Sequence, residues 1–445
     1  MNNNDFMKTK PVLPLILSMS MPMVISMLVN SLYNIVDSYF VAKISENAMT
    51  SLSLVFPVQN FINSIAVGFG VGINAVISYF LGAKKKEQAD NAASIGMLFS
   101  ILHGILMIFI CNLIMPSFLG MFTSDKEVIK LGLKYSRIVF SFSIFICVSL
   151  TFEKVFQAVG KMTFTMISLM SGCIVNIILD PVLIFGLGPV KGLGINGAAI
   201  ATIIGQLTTF LIYVFIYLRK DAGIKFKLRN ISFDISIIKK VYAVGIPATL
   251  NMALPSVLTS ALNAILSSFS GMYVVILGIY YKLQTFLYLP ANGLIQGMRP
   301  IIGYNYGAGE KTRVKKIYHT TLALNSIIMI FGTIICLIIP GQLMGLFSTS
   351  PKTIHAGKTA LRIICLGFII STISVTASGA LEGLGMGLKS LVISLLRYVI
   401  IIIPSAFILS SFAGVYGVWN SFWIAEVITA SFSYIMVRRM FKRMP

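Results

Sequence analysis

The feature that most constrains this chain is a run of 41 consecutive residues, 241–281, without a charged side chain. A helix needs roughly 20 predominantly apolar residues to cross the ~30 Å hydrocarbon core of a bilayer. The run is long enough for most of two such helices, and the sequence SFSG at 268–271 predicts the turn between them. Residues 11–36 and 47–83 are also uncharged. The core of a soluble domain does not need runs of this length, so the sequence predicts a membrane protein.

Composition supports the same fold class. The chain is 57% hydrophobic and 11% charged, whereas soluble domains carry about 25% charged residues. We therefore predict an all-α polytopic membrane protein with twelve transmembrane helices, the first of them a retained span rather than a cleaved leader. The predicted spans are 12–41, 50–81, 92–116, 132–153, 163–187, 194–218, 241–268, 272–304, 318–340, 359–382, 389–410 and 414–437, with ends uncertain by a few residues.

The basic residues decide between a membrane and a nucleic-acid partner. The formal net charge is +21, from 35 Lys and Arg against 14 Asp and Glu. With twelve spans, 23 of the basic residues fall on the side of both termini and 7 on the other side, and five lie within or at the edges of spans. This asymmetry follows the positive-inside rule and places both termini in the cytoplasm. It predicts a lipid bilayer as the partner of the chain and no nucleic acid.

An internal repeat divides the chain into two halves. Residues of the first half recur 225 positions later, and the offset slips to 220 near the end of each half. The matched residues are Pro22 and Pro247, Gly68 and Gly293, Gly72 and Gly297, Tyr79 and Tyr304, Gly82 and Gly307, Gly120 and Gly345, Arg137 and Arg362, Gly160 and Gly385, and Gly194 and Gly414. Six spans in each half predict a parallel repeat, with a pseudo-two-fold axis along the membrane normal.

The repeat predicts the domain organisation and the mechanism. We expect an N-terminal lobe at 1–218, a basic cytoplasmic linker at 219–240 and a C-terminal lobe at 241–445. Repeated lobes of this kind hold substrate between them and expose it to the two sides in turn. The sequence therefore predicts a secondary transporter that works by alternating access.

Two acids inside predicted spans mark a candidate site. An ionised Asp near a helix centre costs about 2.5–3.5 kcal/mol on insertion scales, so Asp37 and Asp180 require an explanation. At 1.5 Å per residue both fall in the outer half of their spans. Asn176 lies one turn below Asp180, and Thr202 reaches a similar depth from the outer end of the sixth span. These four residues are the candidate cation-coupling site.

The acids are absent from the second half of the repeat. Asp37 corresponds to Leu262, and Asp180 to a position within 403–405. A device for helix packing would be expected in both halves, which favours a functional role over interhelical hydrogen bonding. Burial and a neighbouring carboxylate favour the protonated form of an acid, while a cage of oxygen ligands suits a hard cation such as sodium. Proton and sodium therefore both remain open as the coupling ion.

Other residues are weaker candidates. Asn34, Lys282 and Glu426 are candidates for lining the cavity or contacting substrate, although Glu426 could instead pair with another span and Lys282 could extend to the interface or form a salt bridge. Five cysteines lie in apolar stretches without CxxC spacing, so we expect neither a disulfide framework nor a zinc framework. We find no HExxH motif, no intramembrane His cluster and no Ser/His pairing, so we expect no cofactor and no enzymatic activity.

Several segments resemble the multidrug and toxic compound extrusion (MATE) family. They are NIVDSYFV at 34–41, YFLGA at 79–83, NIILDPVLIF at 176–185, GINGAAIAT at 194–202 and PIIGYNYGA at 300–308. The resemblance covers nearly the whole chain. It implies two six-helix lobes in a bacterial plasma membrane and export of cationic or amphiphilic small molecules in exchange for sodium or protons. Family members use an N-lobe cluster that matches Asp37, Asn176, Asp180 and Thr202.

The chain departs from one branch of that family, which carries acids in the seventh and tenth spans. Here those spans contain no acid before Glu382, so a cation site in the C-lobe is not expected. An alternative function is a flippase for lipid-linked oligosaccharide precursors, which shares the two-lobe plan. Such flippases need several buried basic residues for anionic phosphates, and here buried acids outweigh buried bases in the first lobe. We expect the transporter to act as a monomer.

Overall fold

The structure is a computed structural model that describes residues 5–227 and 231–444. Apolar runs form helices here because only a helix satisfies every backbone N–H and C=O within one lipid-facing segment. The helices of the first half are α1 (Phe6–Thr9), α2 (Val12–Ala42), α3 (Glu46–Gly82), α4 (Lys86–Phe122), α5 (Lys126–Ser141), α6 (Ser143–Ala158), α7 (Met162–Phe185) and α8 (Ile195–Arg219). The predicted linker follows α8, and its Arg229 lies outside the described residues.

The second half repeats this order. Its helices are α9 (Ile235–Ser267), α10 (Gly271–Gly307), α11 (Lys311–Ile338), α12 (Pro340–Gly345), α13 (Pro351–Ile364), α14 (Phe368–Gly383), α15 (Gly387–Leu395), α16 (Ile402–Ala413) and α17 (Val415–Arg443). A 3₁₀ turn, Cys365–Gly367, joins α13 to α14, and a π-helical turn, Leu396–Ile401, joins α15 to α16. The all-α fold class is confirmed.

The described residues contain ten helical segments that are long and apolar enough to cross a membrane, or eleven if the bent pair α5 and α6 is one span. All ten coincide with predicted spans, and α5 with α6 corresponds to the fourth. The twelfth predicted span corresponds to α17, which is 29 residues long but contains Asn420, Glu426 and a basic end. These polar and charged side chains make α17 less apolar than the ten segments above.

The fourth span is bent by 47° between α5 and α6. The first part, α5, is strongly amphipathic, with basic residues at Lys126, Lys130 and Lys134 on one side of the helix. Asp125 caps α5 by accepting hydrogen bonds from the backbone N–H groups of Glu127 and Val128, which satisfies two of the free donors of its first turn.

A short antiparallel hairpin, β1 (Gly186–Leu187) and β2 (Val190–Lys191), separates α7 from α8. Gly186 precedes the turn with φ of 85°, and Gly194 precedes α8 with φ of 56°. Both values lie in the left-handed region that glycine adopts at little cost. The predicted fifth span, 163–187, therefore ended two residues inside the hairpin.

Contacts divide the described chain into two compact units. The first unit contains Asp5 and residues 21–246, and the second contains residues 6–20 and 247–444. Helices α2 and α9 are thus each divided, and the divisions fall beside the repeat-related prolines Pro22 and Pro247. Proline removes one helix hydrogen bond and clashes with the preceding turn, so both helices carry the same local weakness at the same place in the repeat.

Each unit has its own apolar core. In the first, Tyr135, Val139 and Phe140 of α5 pack against apolar side chains from α3 and α4. In the second, Trp419 and Tyr280 are almost completely buried within a larger cluster. Aromatic side chains bury large areas and dominate the energetics of such cores.

Small residues let α7 and α8 approach closely within the first unit. A Cβ atom added at Gly172 would lie 2.5 Å from the carbonyl oxygen of Gly205, and one added at Gly205 would lie 3.1 Å from Cβ of Asn176. Small residues at crossings allow this backbone approach in membrane helices. The spacing of α7 and α8 therefore also positions Asn176.

We expect Gly172→Val to destabilise the first unit by about 1–3 kcal/mol, because the added side chain would overfill the crossing. The measurement is thermal unfolding of purified protein in detergent. Gly120→Val is the matched control, since a Cβ at Gly120 would meet no atom within 4 Å. Equal unfolding temperatures for the two variants would contradict the close crossing.

Candidate functional site

A cavity of about 460 Å³ lies within the first unit. This volume is in the range of small-molecule sites. Helices α2, α3, α5, α6, α7 and α8 all contribute to its wall, which combines polar amides with aromatic rings. The polar and aromatic lining residues include Asn30, Tyr33, Asn34, Asp37, Phe56, Gln59, Asn63, Tyr135, Glu153, Asn176, Thr202, Gln206 and Tyr213.

The four predicted coupling residues are all buried at this cavity or beside it. Asp37, Asn176 and Thr202 line it, with exposed fractions of 8%, 2% and 2%. Asp180 is completely buried, one helical turn beyond Asn176 on α7. The two carboxylates are close enough to interact electrostatically. The structure thus brings together side chains from α2, α7 and α8 that the sequence separates by up to 165 positions.

Within residues 5–227 and 231–444, neither carboxylate forms an ion pair with a basic side chain. Among the described residues, Oδ1 of Asp37 and both carboxylate oxygens of Asp180 have no hydrogen-bond partner, and the amide of Asn176 has none for either atom. Tyr33 and Tyr135 lie near enough to interact electrostatically with both acids. Buried polar atoms without partners are rare in proteins and point to a water or an ion. The arrangement offers carboxylate, amide and hydroxyl oxygens to a cation.

The other buried acids of the first unit do have basic partners. Asp90 pairs with Lys86 at 2.5 Å, and Glu153 pairs with Lys154 at 2.7 Å. Gln157 also donates to Glu153, at 2.9 Å. Burial alone therefore does not explain why Asp37 and Asp180 are unpaired, since a buried acid in this unit is otherwise accompanied by a cation.

The second unit pairs its buried acid, Glu382, and its partly buried acid, Glu426, with basic side chains in the same way. Glu382 pairs with Arg299 at 2.5 Å and accepts hydrogen bonds from Asn251 and Ser390. Glu426 accepts from both Nε and Nη2 of Arg397, at 2.7 and 2.5 Å. Arg397 lies in the π-helical turn Leu396–Ile401, a local distortion that occurs frequently at functional positions. Glu382 and Glu426 are therefore each paired with an arginine side chain of the same unit.

The three weaker candidates lie in different surroundings. Asn34 lines the cavity of the first unit and donates to the backbone and side chain of Asn30. Lys282 is exposed, with Nζ 5.6 Å from the ring centre of Phe347. Glu426 is engaged by Arg397. Of the three, only Asn34 lines this cavity, and the roles predicted for Lys282 and Glu426 in substrate binding remain predictions.

Several cavity residues were not predicted from the sequence. Gln206 lies one turn after Thr202, and Gln59 and Asn63 form a similar pair on α3. Polar residues four positions apart inside an apolar span share one face of the helix and are expected to face the protein interior. That four-residue spacing could therefore have identified Gln206, Gln59 and Asn63 as cavity residues from the sequence alone. Tyr33 and Tyr135 carried no comparable signal, because tyrosine is also common where spans meet the bilayer surface.

The geometry defines a polytopic helical membrane protein with a polar, acid-containing cavity in one of two repeated units. The MatE family model matches residues 22–182 and again 247–408. The matches begin 225 residues apart, which is the offset of the internal repeat. The chain therefore belongs to the MATE family, whose members are multi-pass membrane transporters.

Curated relatives and solved structures agree with this assignment. The chain is 27% identical to the multidrug export protein MepA of Staphylococcus haemolyticus over 426 residues, covering 96% of this chain and 93% of the relative. It is 26% identical to MepA of Staphylococcus aureus, covering 97% and 95%. A crystal structure of MATE in the bent conformation matches with a TM-score of 0.94 and 23% identity, covering 100% and 98%. The twelve-helix, two-lobe fold is thereby confirmed.

We expect Glu426→Gln to lower the stability of the second unit by about 3–5 kcal/mol, because it leaves the buried Arg397 charge without a partner. The five free cysteines are all buried, so a thiol-reactive dye can report thermal unfolding in detergent.

The double variant Glu426→Gln, Arg397→Met is the control for this prediction. Removing both charges from a buried pair is often neutral or stabilising, so the double variant should recover much of the loss. If the unfolding temperature of the double variant is no higher than that of Glu426→Gln alone, the ion pair is not the source of the effect.

Proposed function

We propose that this protein is a secondary active antiporter that exports cationic or amphiphilic small molecules in exchange for protons or sodium ions. The observation that carries the proposal is the contrast among buried acids. Asp37 and Asp180 have no basic partner among the described residues, whereas Asp90, Glu153 and Glu382 each form an ion pair. A buried carboxylate without a counter-charge is strongly unfavourable, so these two acids call for a cation that arrives and leaves.

The coupling site in this proposal comprises Asp37, Asn176, Asp180 and Thr202. Their oxygens form a donor set suited to a hard cation such as sodium. A proton could instead neutralise one of two neighbouring carboxylates, in which case the pair titrates as one unit. No three His, Cys, Asp or Glu side chains cluster as a metal site in residues 5–227 and 231–444, so amide and hydroxyl oxygens would have to complete any sodium site.

The cavity supports a small organic substrate. Its 460 Å³ could hold a drug-sized molecule. Phe56 and Tyr33 would contact apolar or aromatic parts, while Asn30, Gln59 and Asn63 provide uncharged hydrogen-bonding groups. When the coupling cation leaves, the negative charge at Asp37 and Asp180 would favour entry of a cationic substrate. The name of MepA, a multidrug export protein, is consistent with this substrate class.

The proposed cycle uses the repeat. The lobes 1–218 and 241–445, connected by the linker 219–240, would alternate between inward-open and outward-open states. We propose that both termini lie in the cytoplasm of a bacterial cell, because most of the basic residues fall on their side of the membrane, and that the monomer is the working unit. A flippase for lipid-linked oligosaccharides is less well supported, because the buried cations Lys154 and Arg397 are already neutralised by acids.

We expect Asp37→Asn and Asp180→Asn each to reduce ethidium export to the level of cells that lack the transporter, because the amide cannot carry the coupling charge. Export is measured by fluorescence in cells, with membrane expression checked by immunoblot. Glu310→Gln is the control, since it removes a partly exposed acid whose ion pair with Lys8 should contribute little. Wild-type export by the double Asn variant would refute the proposed role.

Coupling is tested separately with purified protein in liposomes. We expect an imposed gradient of either protons or sodium ions to drive substrate transport on its own, and Asp180→Asn to abolish that response. Transport driven by neither gradient, in vesicles that still bind substrate, would overturn the antiport mechanism while leaving the substrate site in place.

A further inference from the structure

A second cavity, of about 250 Å³, lies in the second unit where the ends of α10, α15 and α17 meet. Three basic side chains line it, namely Lys389, Arg439 and Arg443. Met386, at the amino-terminal end of α15, also lines the cavity. This helix end has no side-chain cap, and a helix amino terminus carries partial positive charge. Among the described residues that line this cavity, none is acidic. The cavity is therefore electropositive.

Within the described part of the second unit, no acidic side chain is left to balance these charges. Residues 247–445 contain only three acids against fifteen Lys and Arg. Each of the three is already in an ion pair: Glu310 with Lys8, Glu382 with Arg299 and Glu426 with Arg397. An anion that neutralises the cavity must therefore come from outside the described part of this unit.

The repeat-related place in the first unit contains its own anion. There Lys161 donates to the backbone carbonyl of Asp221, just after α8. A hydrogen bond from the backbone N–H of Gly223 lowers the pKa of the Asp221 carboxyl, and the positive charges of Lys161, Lys86 and Lys225 lower it further. At the offset of 220 that relates α8 to α17, Asp221 corresponds to Phe441. The second unit thus has basic side chains of its own at this place, Lys389, Arg439 and Arg443, but no carboxylate at the position of Asp221.

An apolar strip continues from the basic groups along α17. Phe432, Ile435 and Met436 line the same cavity, and Phe432 and Ile435 are 38% and 49% exposed. Residues three, four and seven positions apart share one face of a helix, so this strip lies along the helix below Arg439. Free phosphate would make no favourable contact with an apolar wall. An amphiphile with an anionic head and an acyl chain would contact both the basic side chains and the apolar strip.

We propose that Lys389, Arg439 and Arg443 bind the headgroup of an anionic phospholipid, whose acyl chain lies along Phe432 and Ile435. Basic pockets between membrane helices recognise such headgroups elsewhere. The site is distinct from the proposed coupling site, and it belongs to the inner leaflet if the termini are cytoplasmic as proposed above. The export function and lipid binding can therefore fail independently.

The experiment is native mass spectrometry of the full-length protein in neutral detergent, titrated with phosphatidylglycerol or with phosphatidylcholine. Arg439→Gln, Arg443→Gln removes two lining charges, and Arg438→Gln, Lys442→Gln removes two charges from the same helix that do not line the cavity. Because each basic residue contributes about 1 kcal/mol, we expect the lining variant to bind phosphatidylglycerol at least about tenfold more weakly than the control variant. Binding of phosphatidylcholine should be weak for all three proteins.

Three outcomes would overturn the proposal. These are equal losses in the two variants, equal binding of both lipids by the wild type, and displacement of phosphatidylglycerol by millimolar inorganic phosphate, which would identify a simple anion site. If the lining variant does not purify as a folded protein, Lys389→Gln is tested against Lys315→Gln by the same titration. A greater loss in Lys389→Gln supports the lipid site, and equal affinities contradict it.

Discussion

The structure depends above all on how the charges of buried side chains are neutralised in an interior that solvates charge poorly. Moving an ion from water into such a medium costs several kcal/mol even after relaxation. Most buried acids here are placed beside a base, as Glu153 is beside Lys154 and Glu382 beside Arg299. Asp37 and Asp180 are the exceptions among the described residues. The lack of a basic partner for these two carboxylates is the basis of the cation-coupling site that we propose for the first unit.

The two units share a scaffold but differ in chemistry. Asn74 and Gln157 of the first unit correspond, at the offset of 225, to Arg299 and Glu382 of the second. The second pair forms an ion pair. In the first unit, Asn74 donates to the backbone of Lys154 and Gln157 donates to Glu153. Equivalent positions therefore carry different groups, since an ion pair joins α10 to α14 in the second unit, whereas a neutral hydrogen bond from Asn74 joins α3 to α6 in the first.

Much of the fold was predictable because bilayer crossing imposes a simple requirement on length and composition. The predicted spans correspond to the helical segments within a few residues at most ends. The bend between α5 and α6 and the hairpin after Phe185 were missed. Both depend on local backbone geometry at Phe142 and Gly186, which hydropathy does not report. Helices α4, α5, α9, α11 and α13 each begin six to eight residues before the predicted span, since the polar or basic residues near their amino ends remain helical outside the apolar run.

Sequence alone determined that this chain is a duplicated, all-helical membrane protein and that Asp37 and Asp180 are unusual within it, because the insertion cost of a charge depends only on residue type and depth. Tertiary structure alone decided which acids have partners. Glu426 and Asp37 look alike in sequence, because each is a single acid in an apolar span. In the structure Arg397 forms an ion pair with Glu426 and not with Asp37. The physical reason is that an ion pair is a short-range contact between helices, and the separation of side chains across helices is set by packing rather than by position along the chain.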